Sequence, residues 1–347
     1  MCPMSAGSVS SISETPHFVR SGPPVAILLS LYNGEAFLSR QLDSFLEQEH
    51  HNWLLLWRDD GSSDSSRAIL KAFQANRGAG RCVEADSESG INIGIAASYW
   101  QLLTQVPDGY LVAFADQDDV WLPDKISRGV TALKDVPESK PALYFGRQIL
   151  TDRFLNPLMI SPAVKNLQGI FSALAQNVAT GCTVMLNKRA LHLLKIMGPF
   201  PPSILHDWAA YLAVIAAGGV VYIDSRPVVL YRQHATNAVG ARPSWFRRGY
   251  AAVRRGPEVF MTIFRSNIAW LLNNREFLDP SVVSILKIMQ KNLTGTRLDR
   301  LRLLTQYPEL SRTGLSENFL FRLWFISAKA QASFFEPEDE GGHDMDC

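Results

Sequence analysis

The chain is short of cysteine, of net charge and of long apolar runs, and each shortage closes off a class of protein. Its four cysteines, Cys2, Cys82, Cys182 and Cys347, are scattered over 347 residues. They share no metal-ligand spacing and make no disulfide framework, which suits a reducing, cytoplasmic compartment. Lys and Arg number 34 against 33 Asp and Glu, so no whole-chain field would draw in nucleic acid. The uncharged apolar run Trp208 to Ile223 is shorter than a membrane-spanning helix and is interrupted by Gly218-Gly219. Residues 1–22 are rich in Ser, Gly and Pro without an apolar signal core and are expected to be a disordered leader. No internal repeat is visible. What is present is 47% hydrophobic residues against 19% charged, enough for a sizeable core.

The N-terminal half alternates strand-like and helix-like stretches. Val25 to Leu31 is a continuous apolar run of the kind found in a parallel strand covered on both faces. Asn33-Gly34 breaks it, and Glu35 to Gln48 follows with apolar residues at helical spacing. Strands are expected at Trp53–Trp57, Arg81–Ala85 and Tyr110–Ala115, with helices from about Ser65 and over Ile95–Val106. Such alternation implies a mixed, mainly parallel α/β sheet with right-handed crossovers. Further strands are expected at Ala142–Phe145, Thr183–Leu186, Val220–Ile223 and Val228–Arg232, and helices at Lys188–Met197 and Leu205–Ala217. Beyond about residue 240 the pattern turns helical, over Trp245–Arg255, Val259–Asn273, Pro280–Leu293, Arg297–Thr305 and Glu317–Phe335. Residues 336–347 carry six acids and read as a solvated tail. The organisation is thus a leader (1–22), an α/β domain (23–240), a helical annex (241–335) and an acidic tail (336–347).

The sharpest feature is Asp116-Gln117-Asp118-Asp119 at the end of the fourth apolar strand. Ligands of open α/β sheets sit beyond the carboxyl ends of strands. Three carboxylates in four residues raise one another's pKa values unless a cation compensates. A hard divalent ion such as Mg²⁺ or Mn²⁺ suits them. A solvated acidic turn is the competing reading. The apolar strand before the cluster and Trp121-Leu122-Pro123-Asp124-Lys125 after it favour a site.

Several motifs follow in order: Leu31-Tyr32-Asn33-Gly34, Arg58-Asp59-Asp60-Gly61-Ser62-Ser63-Asp64, Asn92-Ile93-Gly94 and the acidic cluster with its Trp121–Lys125 extension. Thr180-Gly181-Cys182, His206-Asp207-Trp208 and Tyr231-Arg232-Gln233-His234 complete the set. In this the chain resembles the family 2 glycosyltransferases, inverting enzymes of the GT-A fold (a Rossmann-like nucleotide-diphospho-sugar transferase fold), and within them the rhamnosyltransferase-like branch. The resemblance spans about residues 23–240 and leaves the annex unmatched.

The resemblance implies roles. Ser30, Tyr32 and Asn33, with Glu35 beside them, would cradle the nucleotide, as would Asn92. Asp60 would accept hydrogen bonds from base or ribose, with Asp59 as the fallback, while Asp64 reads mainly as a helix cap. Asp116 and Asp118 would form the metal-binding pair, with Asp119 close by. Lys125 would reach the ligand or lie on the surface. Asp207 would be the general base that takes the acceptor's proton; its position at a helix start also suits a cap. His206 would bond the sugar or tune Asp207, and simple packing is an equal alternative. Arg232 would meet the diphosphate, and His234 the diphosphate or the metal. Relatives often carry an Arg-Asn pair where this chain has Ile95 to Tyr99, so either Ser98 takes part of that role or the sugar is held differently.

These roles describe a metal-dependent hexosyltransferase. It would move a sugar, rhamnose being one candidate, from a dTDP- or UDP-linked donor to a hydroxyl of a glycan or lipid-linked acceptor in cell-surface polysaccharide synthesis. A nucleotidyltransferase would share the sheet and the acids but needs a Gly-rich, Lys/Arg-bearing loop that Leu31–Gly34 does not supply. A non-catalytic nucleotide-sugar-binding scaffold would have lost Asp118 or Asp207. In the annex, Arg242, Arg247, Arg248, Arg254, Arg255 and Arg265 lie among Trp245, Phe246, Tyr250, Phe260 and Phe264 with a single acid, Glu258. Such a stretch suits peripheral contact with the anionic inner face of the plasma membrane, or packing of its aromatics with solvated arginines.

Overall fold

The computed structural model describes residues 21–85, 90–164, 169–234 and 245–328, with side chains of the last stretch from residue 257. The expected leader up to residue 20, the acidic tail and the side chains of the annex arginines from Arg242 to Arg255 lie outside the described residues.

The chain runs β1 (Val25–Leu31), α1 (Glu35–Leu46), β2 (Trp53–Asp59), α2 (Ser66–Ala75), β3 (Cys82–Glu84), α3 (Ile95–Thr104), β4 (Leu111–Ala115) and β5 (Val120–Trp121). It continues with α4 (Lys125–Leu133), β6 (Ala142–Thr151), β7 (Pro157–Ile160), α5 (Gly169–Ala175), β8 (Met185–Leu186), α6 (Lys188–Met197), α7 (His206–Ala216) and β9 (Val220–Arg232). The annex holds α8 (Trp245–Asn273), α9 (Pro280–Thr294), α10 (Arg297–Gln306) and α11 (Leu315–Ser327). The strands form one mixed sheet in the order β3-β2-β1-β4-β8-β6-β9-β5, with β7 on β6.

Alternation along β1 divides the core. Ala26 and Leu28 face a layer with α3, α6, α7 and the annex. Val25, Ile27, Leu29 and Leu31 face the opposite layer, with α1, α2 and α4. A strand apolar on both faces must be central, and β1 lies between parallel neighbours, pairing Leu31 with Asp59 and Leu29 with Ala115. That register brings the loops after β1, β2 and β4 out side by side. β5 then pairs antiparallel with β9, Val120 opposite Leu230, and draws the acidic loop against the end of β9.

Two expected breaks are absent. Val220–Ile223 and Val228–Arg232 are one strand, because β9 absorbs Ser225 and Arg226, and then Val228, in register shifts on either side of the Arg147–Pro227 pair. A bulge is where a strand tolerates proline, which has no N–H for the ladder. Likewise α8 runs unbroken through Pro257, which ends no helix there. In the described part of the basic-aromatic stretch the side chains turn inward. Phe260 packs edge-on against Phe321 at 5.5 Å and Phe264 against Phe325 at 5.5 Å. Arg265 is 4% exposed, with Nη1 3.9 Å from a Glu258 oxygen. Among the described residues no helix is long and apolar enough to cross a membrane.

Candidate functional site

The carboxyl edge of β1, β2 and β4 meets the start of α7 and the end of β9 at one place. The loop after β1 is laced to the loop after β2. Asn33, in the left-handed region at φ 51°, accepts the Ser63 N–H on Oδ1 at 2.8 Å, and its own N–H donates to Ser62 Oγ at 3.0 Å. Asparagine tolerates that conformation better than most side chains. The Glu35 N–H donates to Asp64 Oδ2 at 3.0 Å, and Glu35 Oε2 accepts the Ser65 N–H at 2.8 Å. Asp64 also accepts the Ser66 N–H at 2.9 Å, which is the capping role expected of it. Asn33 and Glu35 therefore shape the loop. Tyr32, half exposed, and the exposed Asn92 present faces to solvent.

Asp60 stands differently from the expectation that it accepts from a base or ribose. It is buried, paired with Arg58 at 2.6 Å, and accepts the N–H groups of Ile93 at 2.8 Å and Gly94 at 3.1 Å. Arg58 also donates to the Ile91 carbonyl at 2.8 Å and lies 3.4 Å from Ser98 Oγ, which is 2.7 Å from Ser30 Oγ. Ser30, Ser98, Arg58 and Asp60 thus make a buried polar floor that holds the Asn92–Gly94 turn. Asp60→Ala should strip a buried guanidinium of its carboxylate and lower unfolding free energy by about 3 kcal/mol. Urea denaturation with an unchanged m-value would measure it.

The acidic loop separates its members. Asp118 Oδ2 lies 2.8 Å from His234 Nε2, and the Asp118 carbonyl accepts Arg232 Nε–H at 2.8 Å. Asp119 is fully buried; Oδ1 accepts the Arg232 N–H at 3.1 Å, while Oδ2 has no hydrogen-bond partner among the described residues. Asp116, Asp119 and Cys182 bring ligand atoms within 4.8 Å of one another. Cys182 was not singled out in the sequence, where a lone thiol in Thr180-Gly181-Cys182 carries no signal of its own. Burial, then the Asp118 and Asp207 charges, push Asp116 up to about 7. Burial, with Asp118 and Asp116, also holds Asp119 well above the usual carboxylate range.

Burial corrects the readings of Lys125 and Arg232 and favours the packed alternative for His206. Lys125 is neither on the surface nor open to a ligand: it is 0% exposed, its Nζ sits 3.5 Å over the Trp121 ring, and it has no hydrogen-bond partner among the described residues. Burial lowers it to about 7, against the pull of Cys182, Asp116 and Asp119. His206 does not face a sugar. It is 3% exposed, stacked on Tyr99 at 3.6 Å and edge-on to Phe114 at 4.7 Å, and burial lowers it to about 3. Arg232, 5% exposed, stacks over Phe37 at 4.6 Å and braces the backbone of the acidic loop rather than an open phosphate pocket.

Asp207 opens α7 next to the fixed turn at Gly181–Thr183. Its Oδ2 accepts the Gly181 N–H at 2.9 Å and its Oδ1 the Trp208 N–H at 2.6 Å. Gly181 has room for nothing larger, since a Cβ there would meet His206 Nε2 at 3.0 Å. Burial pushes Asp207 up to about 6, against the lowering effect of these N–H donors and Asn177. A carboxylate poised near neutrality is suited to accepting a proton. One further contact was not legible: Gln117 bonds both backbone groups of Tyr32, with the Tyr32 N–H donating to Oε1 at 2.8 Å and Nε2 donating to the carbonyl at 2.7 Å.

Residues 26–188 match the sequence model of glycosyl transferase family 2. The chain is 28% identical over 238 residues to the dTDP-rhamnosyl transferase RfbG of Shigella flexneri, covering 62% of this chain and 75% of that one. It is 23% identical over 202 residues to the UDP-Glc:alpha-D-GlcNAc-diphosphoundecaprenol beta-1,3-glucosyltransferase WfgD of Escherichia coli, covering 58% and 73%. Among solved structures, residues 1–349 of TarS from S. aureus superpose with a TM-score of 0.50 at 16% identity, covering 82% of this chain and 77% of that one. That likeness speaks to the fold, a GT-A sheet with helices added at its C-terminal end.

Proposed function

We infer that this chain, a glycosyltransferase of family 2 over residues 26–188, moves a hexose with inversion from a nucleotide-diphosphate sugar to a hydroxyl of a glycan or lipid-linked acceptor. The observation that carries the reading is Asp207, a buried carboxyl raised to about 6 within electrostatic reach of Asp116 at the end of β4. Base and acidic loop thereby lie within reach of one another at the sheet's carboxyl edge. The relatives' names support a dTDP- or UDP-linked donor, rhamnose or glucose as the sugar, and a lipid-diphosphate acceptor in cell-surface polysaccharide synthesis. Work at the inner face of the plasma membrane fits such an acceptor.

The donor set suits a divalent ion. Asp118 and His234 converge at 2.8 Å, and the crowding that raises Asp116 is what a cation would relieve. Asp118, His234 and Asp116 would hold Mg²⁺ or Mn²⁺; an imidazole in the set favours Mn²⁺. When bound, the ion offsets charge on the departing diphosphate. The chain's own residues do the rest. Tyr32 and Asn92 line the nucleotide side, and the Arg58–Asp60 floor fixes the loop that carries Asn92. Neutral His206 walls the base from behind. Asp207 takes the acceptor hydroxyl's proton as that oxygen attacks the anomeric carbon opposite the leaving group.

The test is donor turnover across UDP-, dTDP- and GDP-sugars with Mn²⁺ or Mg²⁺, with the product anomer read by NMR. Release of one nucleoside diphosphate and an inverted linkage are expected. The base works only when ionised, so kcat/KM should fall about tenfold per pH unit below about pH 6 and level off above it. An acid limb that persisted unchanged in Asp207→Asn would remove Asp207 as the base. No calorimetric binding of any donor in the panel would remove the glycosyltransferase chemistry itself.

A further inference from the structure

We propose that Gln117 is a positioning residue that sets the distance between the two halves of the donor site, the nucleoside side at Tyr32 and the ion side at Asp118. The proposal rests on the reading above and adds to it a device for gripping both ends of one ligand.

The geometry is specific. The Gln117 carboxamide copies a strand's backbone: it accepts the Tyr32 N–H on Oε1 at 2.8 Å and donates Nε2–H to the Tyr32 carbonyl at 2.7 Å. The residues are 85 apart in sequence. Tyr32 follows β1 and Gln117 follows β4, so these two bonds join the two loops directly where they leave neighbouring strands. Gly34 belongs to the same device. A Cβ there would meet Gln117 Cδ at 2.4 Å and Oε1 at 2.5 Å. The Gly34 φ of −109° is open to any residue, so what glycine supplies here is space and not backbone freedom. Gln117 is also flanked by Asp116 and Asp118, so anchoring its side chain fixes the backbone from which both carboxylates spring.

A ligand bridging two subsites gains from each only if their spacing is already right. When the spacing is loose, the second contact loses its effective concentration although each subsite keeps its own affinity. This separates a positioning role from general support of the fold.

The full-length chain is to be titrated by calorimetry and NMR with three probes: uridine or thymidine alone, Mn²⁺ alone, and the matching nucleoside diphosphate with Mn²⁺. In Gln117→Ala the first two affinities should stay within about twofold of wild type, and the third should weaken about tenfold or more. Donor KM should rise more than kcat falls. Gly34→Ala, which leaves every polar group in place, should match it. Gln117→Glu keeps an acceptor for the Tyr32 N–H but sets an oxygen against the Tyr32 carbonyl, and should fall with the other two. An unchanged third affinity in Gln117→Ala, or equal weakening of all three probes, would overturn the proposal. A wild type that bound no nucleoside diphosphate would overturn the donor reading and this proposal together. A wild type that bound while Gln117→Ala equalled it would overturn the proposal alone.

Discussion

Asp207→Asn is expected to stop transfer while leaving donor binding intact. General-base catalysis contributes about 10²–10⁴-fold, and kcat should fall within that range. Asparagine keeps one oxygen, which can still accept the Gly181 N–H or the Trp208 N–H now held by Oδ2 and Oδ1 at 2.9 and 2.6 Å, while its amide group gives up the other bond. The acid limb of the rate profile should disappear with the carboxyl. Stability gives an independent reading with the opposite sign. Burial raises Asp207 from 3.8 to about 6, so the folded chain binds its proton more tightly than the unfolded chain does. That contribution favours folding at low pH and is lost as pH rises through 6. At pH 8 the ionised, buried carboxylate therefore opposes folding, and the neutral variant should be more stable by about 1–3 kcal/mol, vanishing near pH 4. Gain of stability with loss of turnover is the pattern of a residue kept for chemistry. A variant that lost stability and kept turnover would show a helix cap instead.

The residues that were legible are those whose role follows from chain direction. Leu31, Asp59 and Ala115 end parallel strands in register, so the motifs that follow them had to emerge together. The acidic run and Asp207 could be assigned to loops because apolar periodicity stopped there. What was not legible is where a side chain turns once its loop is placed. Asp59 ends β2 and Asp60 follows it, and nothing in their spacing says that Asp60 faces Arg58 and the Ile93 and Gly94 N–H groups. Lys125 opens α4 at a place where polarity suggests solvent, yet the Trp121 ring takes the ammonium inside. His206 precedes the candidate base, and its burial follows from Tyr99 and Phe114, which are distant in sequence. The Gln117 contact with Tyr32 depends on the register of β1 against β4 and on the missing Cβ of Gly34, both of them tertiary facts. Pro257 shows the reverse error: a local breaker that the packing of α8 overrides.

The buried polar groups share one logic. Burying a charge is costly unless it is paired and hydrogen-bonded. The floor meets that condition within itself, since Asp60 satisfies Arg58 and two backbone N–H groups. The acidic loop does not: Asp119 Oδ2 and Lys125 Nζ are buried without hydrogen-bond partners among the described residues, and Asp116 is raised to about 7. A region so left is either strained for function or completed by a ligand. Its position at the mouth of the sheet, beside Asp207, argues for the ligand.

Asp118→Ala should then lower kcat/KM by about 10³-fold, because Lewis-acid stabilisation of a leaving diphosphate is worth several kcal/mol and each tenfold in rate is about 1.4. Added Mn²⁺ should not restore it, and chelation of the wild type should reproduce it. His234→Ala should fall less, since it removes a neutral ligand and leaves the Asp118 charge. The control is Cys182→Ser. Asp116, Asp119 and Cys182 lie within 4.8 Å of one another and by distance alone are the tighter trio. Yet burial holds the Cys182 thiol protonated and Asp119 well above the usual carboxylate range, and Lys125 is set against the same trio, which leaves it little negative charge for a cation. Asp118 and His234 lie on the more open side of the loop, at 17% and 13% side-chain exposure, where an ion can enter and keep waters. Cys182→Ser should therefore leave the Mn²⁺ dependence of turnover unmoved. If Cys182→Ser shifted that dependence and Asp118→Ala did not, the ion would belong to the buried trio, and Lys125 would have to move to admit it.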